Sequence, residues 1–70
     1  MTRAEALTKW TAIYREVLLR KTKPYNLEVA IQYGAMDMLN ATKGMTEEAA
    51  AFMINDDADY MAEKMAKEAA

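Results

Sequence analysis

A chain of 70 residues makes one domain, and at this size folding hides only about 60% of the surface that the unfolded form exposes, so the margin of stability is narrow. It contains neither cysteine nor histidine, which removes disulfide staples, thiolate metal sites and the commonest catalytic base and nucleophile. The formal net charge of −2 hides a split: residues 1–23 carry six cations against Glu5 and Glu16, whereas residues 24–70 carry three against nine carboxylates.

Such a split either steers partners or is answered within the fold by the two ends lying side by side, and the second is the expectation here. No run approaches the roughly 18 apolar residues of a membrane span. The opening MTRAEALTKW carries charge where a signal peptide needs an unbroken apolar core. The absence of cysteine fits a reducing compartment. A soluble cytoplasmic protein without membrane contact is expected.

Thr2-Arg3-Ala4-Glu5 has the form of a capping box, and the helix that follows should span about residues 3–21. Its stripe of Ala6, Leu7, Trp10, Ile13, Tyr14, Val17 and Leu18 is wide enough for a core-facing helix. Trp10 is the largest anchor, expected in the core with one partner for its N–H. Leu19 falls on the polar side. The basic cluster Arg20-Lys21-Thr22-Lys23-Pro24 then marks a turn, because proline disfavours helical geometry at Lys23, and cations suit a helix C-terminus.

The second helix is expected over residues 26–43, with Asn26 as N-cap and Gly44 as a glycine able to adopt the left-handed conformation that ends a helix. At 100° per residue, Leu27, Ala30, Ile31, Gly34, Ala35, Met38 and Ala41 share one side, and Val29, Tyr33 and Met36 lie opposite. Two apolar sides call for two neighbours, so this helix is expected to be the central, sandwiched element. Gly34 costs about 1 kcal/mol against alanine in a helix interior, and is either tolerated or marks a close backbone approach by a partner helix.

The third helix, over residues 46–69, starts with Thr46 as cap and Glu47 and Glu48 in its first turn. Ala51, Ile54, Ala58, Met61 and Met65 repeat at three and four, the spacing of a heptad seam. An unbroken helix keeps that seam in phase and leaves Phe52 and Tyr60 outside it. A break near Asn55 would fold a fourth helix back. Unbroken, the helix would be about 36 Å long against about 27 Å for the second, so its tail with Met61 and Met65 should overhang. The fold class expected is all-α, a small bundle of three helices, or four if the third breaks.

The chemistry on offer is sparse. The only glycines are Gly34 and Gly44, so no phosphate-cradling loop exists. Asp56, Asp57, Asp59 and Glu63 form an acidic cluster without the glycine and final glutamate of a calcium loop, which reads as a solvated face. A recognition helix starting near Thr46 would present Glu47 and Glu48 to phosphate, and Asn40 stands where helix-turn-helix motifs commonly place alanine, so that motif is disfavoured. No enzyme, cofactor or metal is expected.

The reading that remains is a small acidic regulator or inhibitor that occupies a surface on a larger macromolecule through protein–protein interaction, with a homodimer as an option. Flexible methionines, seven in all, suit an adaptable contact surface. The candidate contact residues are Val29, Tyr33 and Met36 on the second flank of the middle helix, and Met61 and Met65 on the overhang. Asp56, Asp57, Asp59 and Glu63 are the electrostatic contact, suited to a basic groove on a nucleic-acid-handling protein. Two rivals stand beside this reading: nucleic-acid binding through Arg15, Arg20, Lys21 and Lys23, and a purely structural helical oligomer.

Overall fold

A computed structural model describes residues 1–21 and 26–69, without the side chain of Lys21. The described chain is all-α, with α1 at Arg3–Lys21, α2 at Leu27–Ala41 and α3 at Glu47–Ala69. The turn expected at Lys23 and Pro24 lies outside the described residues.

Each helix begins where its capping residue directs. Thr2 and Glu5 close a reciprocal capping box, Glu5 N–H donating to Thr2 Oγ1 at 3.1 Å and Thr2 N–H to Glu5 Oε1 at 2.9 Å. Asn26 Oδ1 accepts from Val29 N–H, and Thr46 Oγ1 from Ala49 N–H, so orphan donors of α2 and α3 are satisfied in the same way. α2 ends two residues before the expected 43. Buried Thr42 turns its hydroxyl back onto the carbonyls of Met38 and Leu39, and Gly44 at φ +84° then turns the chain towards α3. α3 runs unbroken for 23 residues through Asn55-Asp56-Asp57.

The helices pack differently from the expectation drawn from α2. α1 lies between the other two, packing along α3 and against α2, while α2 and α3 barely meet. Contacts along the chain set the directions. Arg3 meets Glu47, Lys9 meets Asn55 and Asp59, and Trp10 meets Asp57, so α1 and α3 run parallel. Arg15 meets Glu28 while Arg3 reaches Thr42, so α2 runs antiparallel to both. The long dimension of the molecule, 34 Å, is that of α3 at about 1.5 Å per residue.

The core explains the change of centre. It joins Ala6 and Trp10 of α1 to Ala51, Ile54 and Ala58 of α3, with Leu7, Ile13, Tyr14, Met38 and Met61 packed against it. Alanines at Ala6, Ala50, Ala51 and Ala58 are fully or almost fully buried, and such small side chains let two helix backbones approach closely. α1 thus carries a stripe broad enough for both neighbours. The apolar seam expected on α3 faces α1, and α2 keeps one flank bare. Tyr33 and Met36, expected to be covered, are 64% and 54% exposed.

Gly34 marks the closest meeting of α2 with α1. A Cβ built there would stand 2.6 Å from Tyr14 Cε2 and 2.9 Å from Trp10 Cη2, nearer than packed carbons come. The two rings are stacked on each other, with centroids 4.7 Å apart and planes 25° from parallel, and the bare glycine backbone lies against them. The glycine therefore serves a close helix approach, which offsets its cost in helix propensity.

Candidate functional site

Large apolar side chains are left in solvent at many points of this small molecule, and apart from the scattered Met1, Leu19, Met45 and Phe52 they form two groups. The first is the outer flank of α2. Val29, Tyr33 and Met36 follow at spacings of four and three on a helix whose opposite side is held by Ile31 and Gly34, so they share the face pointing away from α1. Leu39, one turn beyond Met36, extends the strip and is exposed as well.

The second group lies between α2 and α3. Because these helices flank α1 and barely meet each other, an open cleft of about 430 Å³ remains, lined by Met38, Met53, Asp56, Asp57 and Tyr60. Tyr60 is 63% exposed and Phe52, on the far side of α3, is 73% exposed. Both lie outside the heptad seam of α3, which is the sequence signal that marks them as surface aromatics.

The acidic cluster is divided by the helix on which it sits. Asp57 turns inward, and its Oδ2 accepts from Trp10 Nε1–H at 2.6 Å, the partner that the buried indole requires. Asp59 pairs with Lys9 at 2.8 Å, and Lys9 also donates to Asn55 Oδ1. Glu63 pairs with Lys67 along the helix at 3.5 Å, and Asp56 stands exposed. Two of the four carboxylates are thus held by α1. Met61 and Met65 are half-buried rather than overhanging, because α3 lies along α1 and Val17 borders the same hollow as both.

The basic end is answered in the same way. Arg15 donates to both carboxylate oxygens of Glu28, and this pairing raises the Arg15 pKa and lowers that of Glu28, the hydrogen bond being the larger cause in each case. Glu5 is likewise held below the ordinary carboxylate value, chiefly by the backbone of Thr2. Arg20 is exposed, whereas the side chain of Lys21 and all of Lys23 lie outside the described residues. The charge split read from the sequence is therefore met in part by contacts between α1 and the acidic helices.

Arg3 is the residue whose importance the sequence hid. Its backbone N–H, an orphan donor at the start of α1, donates to Glu47 Oε1 at 2.8 Å. Its guanidinium donates to the carbonyls of Thr42 and Met45, each at 3.3 Å. One side chain thereby fastens the start of α1 to the α2–α3 turn.

Among the described residues no cluster of three or more His, Cys, Asp or Glu side chains is placed to hold a metal ion. No helix among them is long and apolar enough to cross a membrane. The chain is thus a three-helix all-α protein with an exposed apolar flank and an open, acid-lined cleft. Comparison with protein-family models, curated proteins and solved structures gives no match.

Proposed function

We propose that this chain is a non-enzymatic helical binding protein that regulates or inhibits a larger protein by covering part of its surface. The observation that carries the reading is the outer flank of α2, where Val29, Tyr33 and Met36 stand exposed on a helix held in place from behind by Trp10 and Tyr14. Tyrosine offers large contact area at low entropic cost, methionine adapts to varied partners, and interface hot spots favour such anchors. A rigid helix face that presents them needs little ordering on binding.

The test is capture from the native host with mass spectrometry, using the wild-type chain and a Tyr33→Asp/Met36→Asp variant, with sedimentation of each chain alone. One defined protein held by the wild type and released by the folded variant is the expected result. Capture that ignores the substitutions, or none at all, refutes the proposal. A concentration-dependent dimer abolished by the same substitutions would instead assign the flank to a second copy.

Nucleic-acid binding through Arg15, Arg20, Lys21 and Lys23 has less support, because Arg15 is committed to Glu28. A low-salt titration with duplex DNA and single-stranded RNA checks it, since phosphate contacts give binding that weakens steeply with added salt.

A further inference from the structure

We propose that the cleft between α2 and α3 is a docking groove for a cationic amphipathic helix of a partner protein, an inference that rests on reading the chain as a binding protein. The cleft is apolar where Met38, Met53 and Tyr60 line it and acidic where Asp56 and Asp57 do, and among the described residues no cation lines it. Asp57 gives Oδ2 to Trp10, so Oδ1 remains as an acceptor, and exposed Asp56 stands beside it. A lysine or arginine stem can lie along the methionine side chains while its head meets these carboxylates, and the exposed ring of Tyr60 offers a cation–π partner. Charge complementarity thus selects a basic occupant over an acidic one.

The lining also selects a helix. Met53, Asp56, Asp57 and Tyr60 follow one another over two turns of α3, which matches the length that two turns of a docked helix present. Strand addition by an extended peptide would need an exposed sheet edge, and the described residues contain no strand. With α2 and α3 forming the walls of the cleft, the occupant would add a fourth helix to the three of the chain. Lys64 lies one turn beyond Tyr60 and borders the next hollow with it, where the single carboxylate, Glu63, is paired with Lys67, so cations are disfavoured at that end. The basic residues of the partner therefore sit towards Asp56 and Asp57, which fixes the register.

The test uses a synthetic leucine–lysine amphipathic helix without aromatic residues, and a leucine–glutamate helix of the same pattern. Binding is read from the fluorescence of Trp10, the only tryptophan, and from NMR shift changes on the whole protein. The lysine peptide is expected to bind saturably at physiological salt, with shifts centred on Met53, Asp57 and Tyr60. Asp56→Asn/Asp57→Asn, which keeps a side-chain carbonyl for the Trp10 bond, should weaken it on the order of tenfold. Asp56→Asn alone, at an exposed position, should weaken it by about threefold and separates lost docking from lost fold.

No saturable binding, equal affinity for the glutamate peptide, or indifference to both asparagine variants overturns the proposal. So do shifts centred on Tyr33 and Met36. If the lysine peptide fails while Tyr33→Asp/Met36→Asp still abolishes capture of a host protein, the groove falls and the outer-flank reading stands. Peptide binding that survives those substitutions, without any flank-dependent capture, supports the groove and removes the flank.

Discussion

Replacing Gly34 with alanine sets two opposed effects against each other, and the structure decides between them. At a helix position open to solvent the substitution would stabilise the fold by about 1 kcal/mol, because alanine is the better helix former. Here the new methyl would stand 2.6 Å from Tyr14 Cε2 and 2.9 Å from Trp10 Cη2, so something must move. Neither ring is free to do so. They stack on each other, and the indole is tied to Asp57 at 2.6 Å, so relief requires breaking that bond or pushing α2 away from α1. Overpacking of this kind costs about 1–3 kcal/mol, which leaves a net loss of about 1 kcal/mol after the propensity gain. In a domain this small that loss lowers the melting temperature by roughly 4–8 °C. Thermal and urea unfolding by circular dichroism measure it, and Trp10 emission reports whether the aromatic pair has shifted. In a Tyr14→Ala background the nearer obstacle is gone, so Gly34→Ala should cost less there than in the wild type. A Gly34→Ala chain that melts several degrees above the wild type would refute the close-approach argument.

Removing the acceptor of the buried indole by Asp57→Ala should cost about 1–3 kcal/mol in urea unfolding and alter Trp10 emission, whereas Asp57→Asn costs less; a change within about 0.3 kcal/mol for alanine would mean the bond does not form. Arg3→Ala loses both bonds to the α2–α3 turn and should cost about 1 kcal/mol, with faster amide exchange at residues 43–47; unchanged exchange there would show that Arg3 does not hold the turn. Glu5 and Glu28 have folded pKa values below the ordinary 4.5, so each adds stability that is present above that value and lost as pH falls through its folded pKa. The melting temperature should therefore drop on acidification below about pH 5, and Glu5→Gln with Glu28→Gln should flatten the drop. A curve of unchanged steepness would remove both contributions.

Local chemistry made much of this fold readable from residues alone. Thr2, Asn26 and Thr46 each cap through side-chain bonds to backbone groups only a few positions away, so three helix starts follow from short segments. The seam of Ala51, Ile54, Ala58, Met61 and Met65 kept its phase, and α3 is unbroken. What could not be read is which helix the others gather on. Periodicity counts the apolar faces of a helix but does not say which neighbour covers them, and α2 with two such faces looked central. The wide stripe of α1 around Trp10, together with the alanines that bring α3 close, settles the matter through contacts more than 40 residues apart. Arg3 and Asp57 were hidden for the same reason, since their partners lie across the fold. Of the candidate contacts, Val29, Tyr33, Met36, Asp56 and Glu63 stand on the surface, Asp57 and Asp59 are held by α1, and Met61 and Met65 are half-buried beside it.

The account turns on α1 being the enclosed helix while the outer flank of α2 and the α2–α3 cleft stay open. The chain has no cysteine, so single-cysteine variants at Tyr33, Tyr60 and Ala58 can be followed by the rate at which a thiol reagent labels each in the folded, monomeric protein. Tyr33→Cys and Tyr60→Cys are predicted to react nearly as fast as in denaturant, and Ala58→Cys, in the core between α1 and α3, far more slowly. Protection of Tyr33→Cys equal to that of Ala58→Cys in the lone chain would mean that α2 is sandwiched after all, and the arrangement described here would be contradicted.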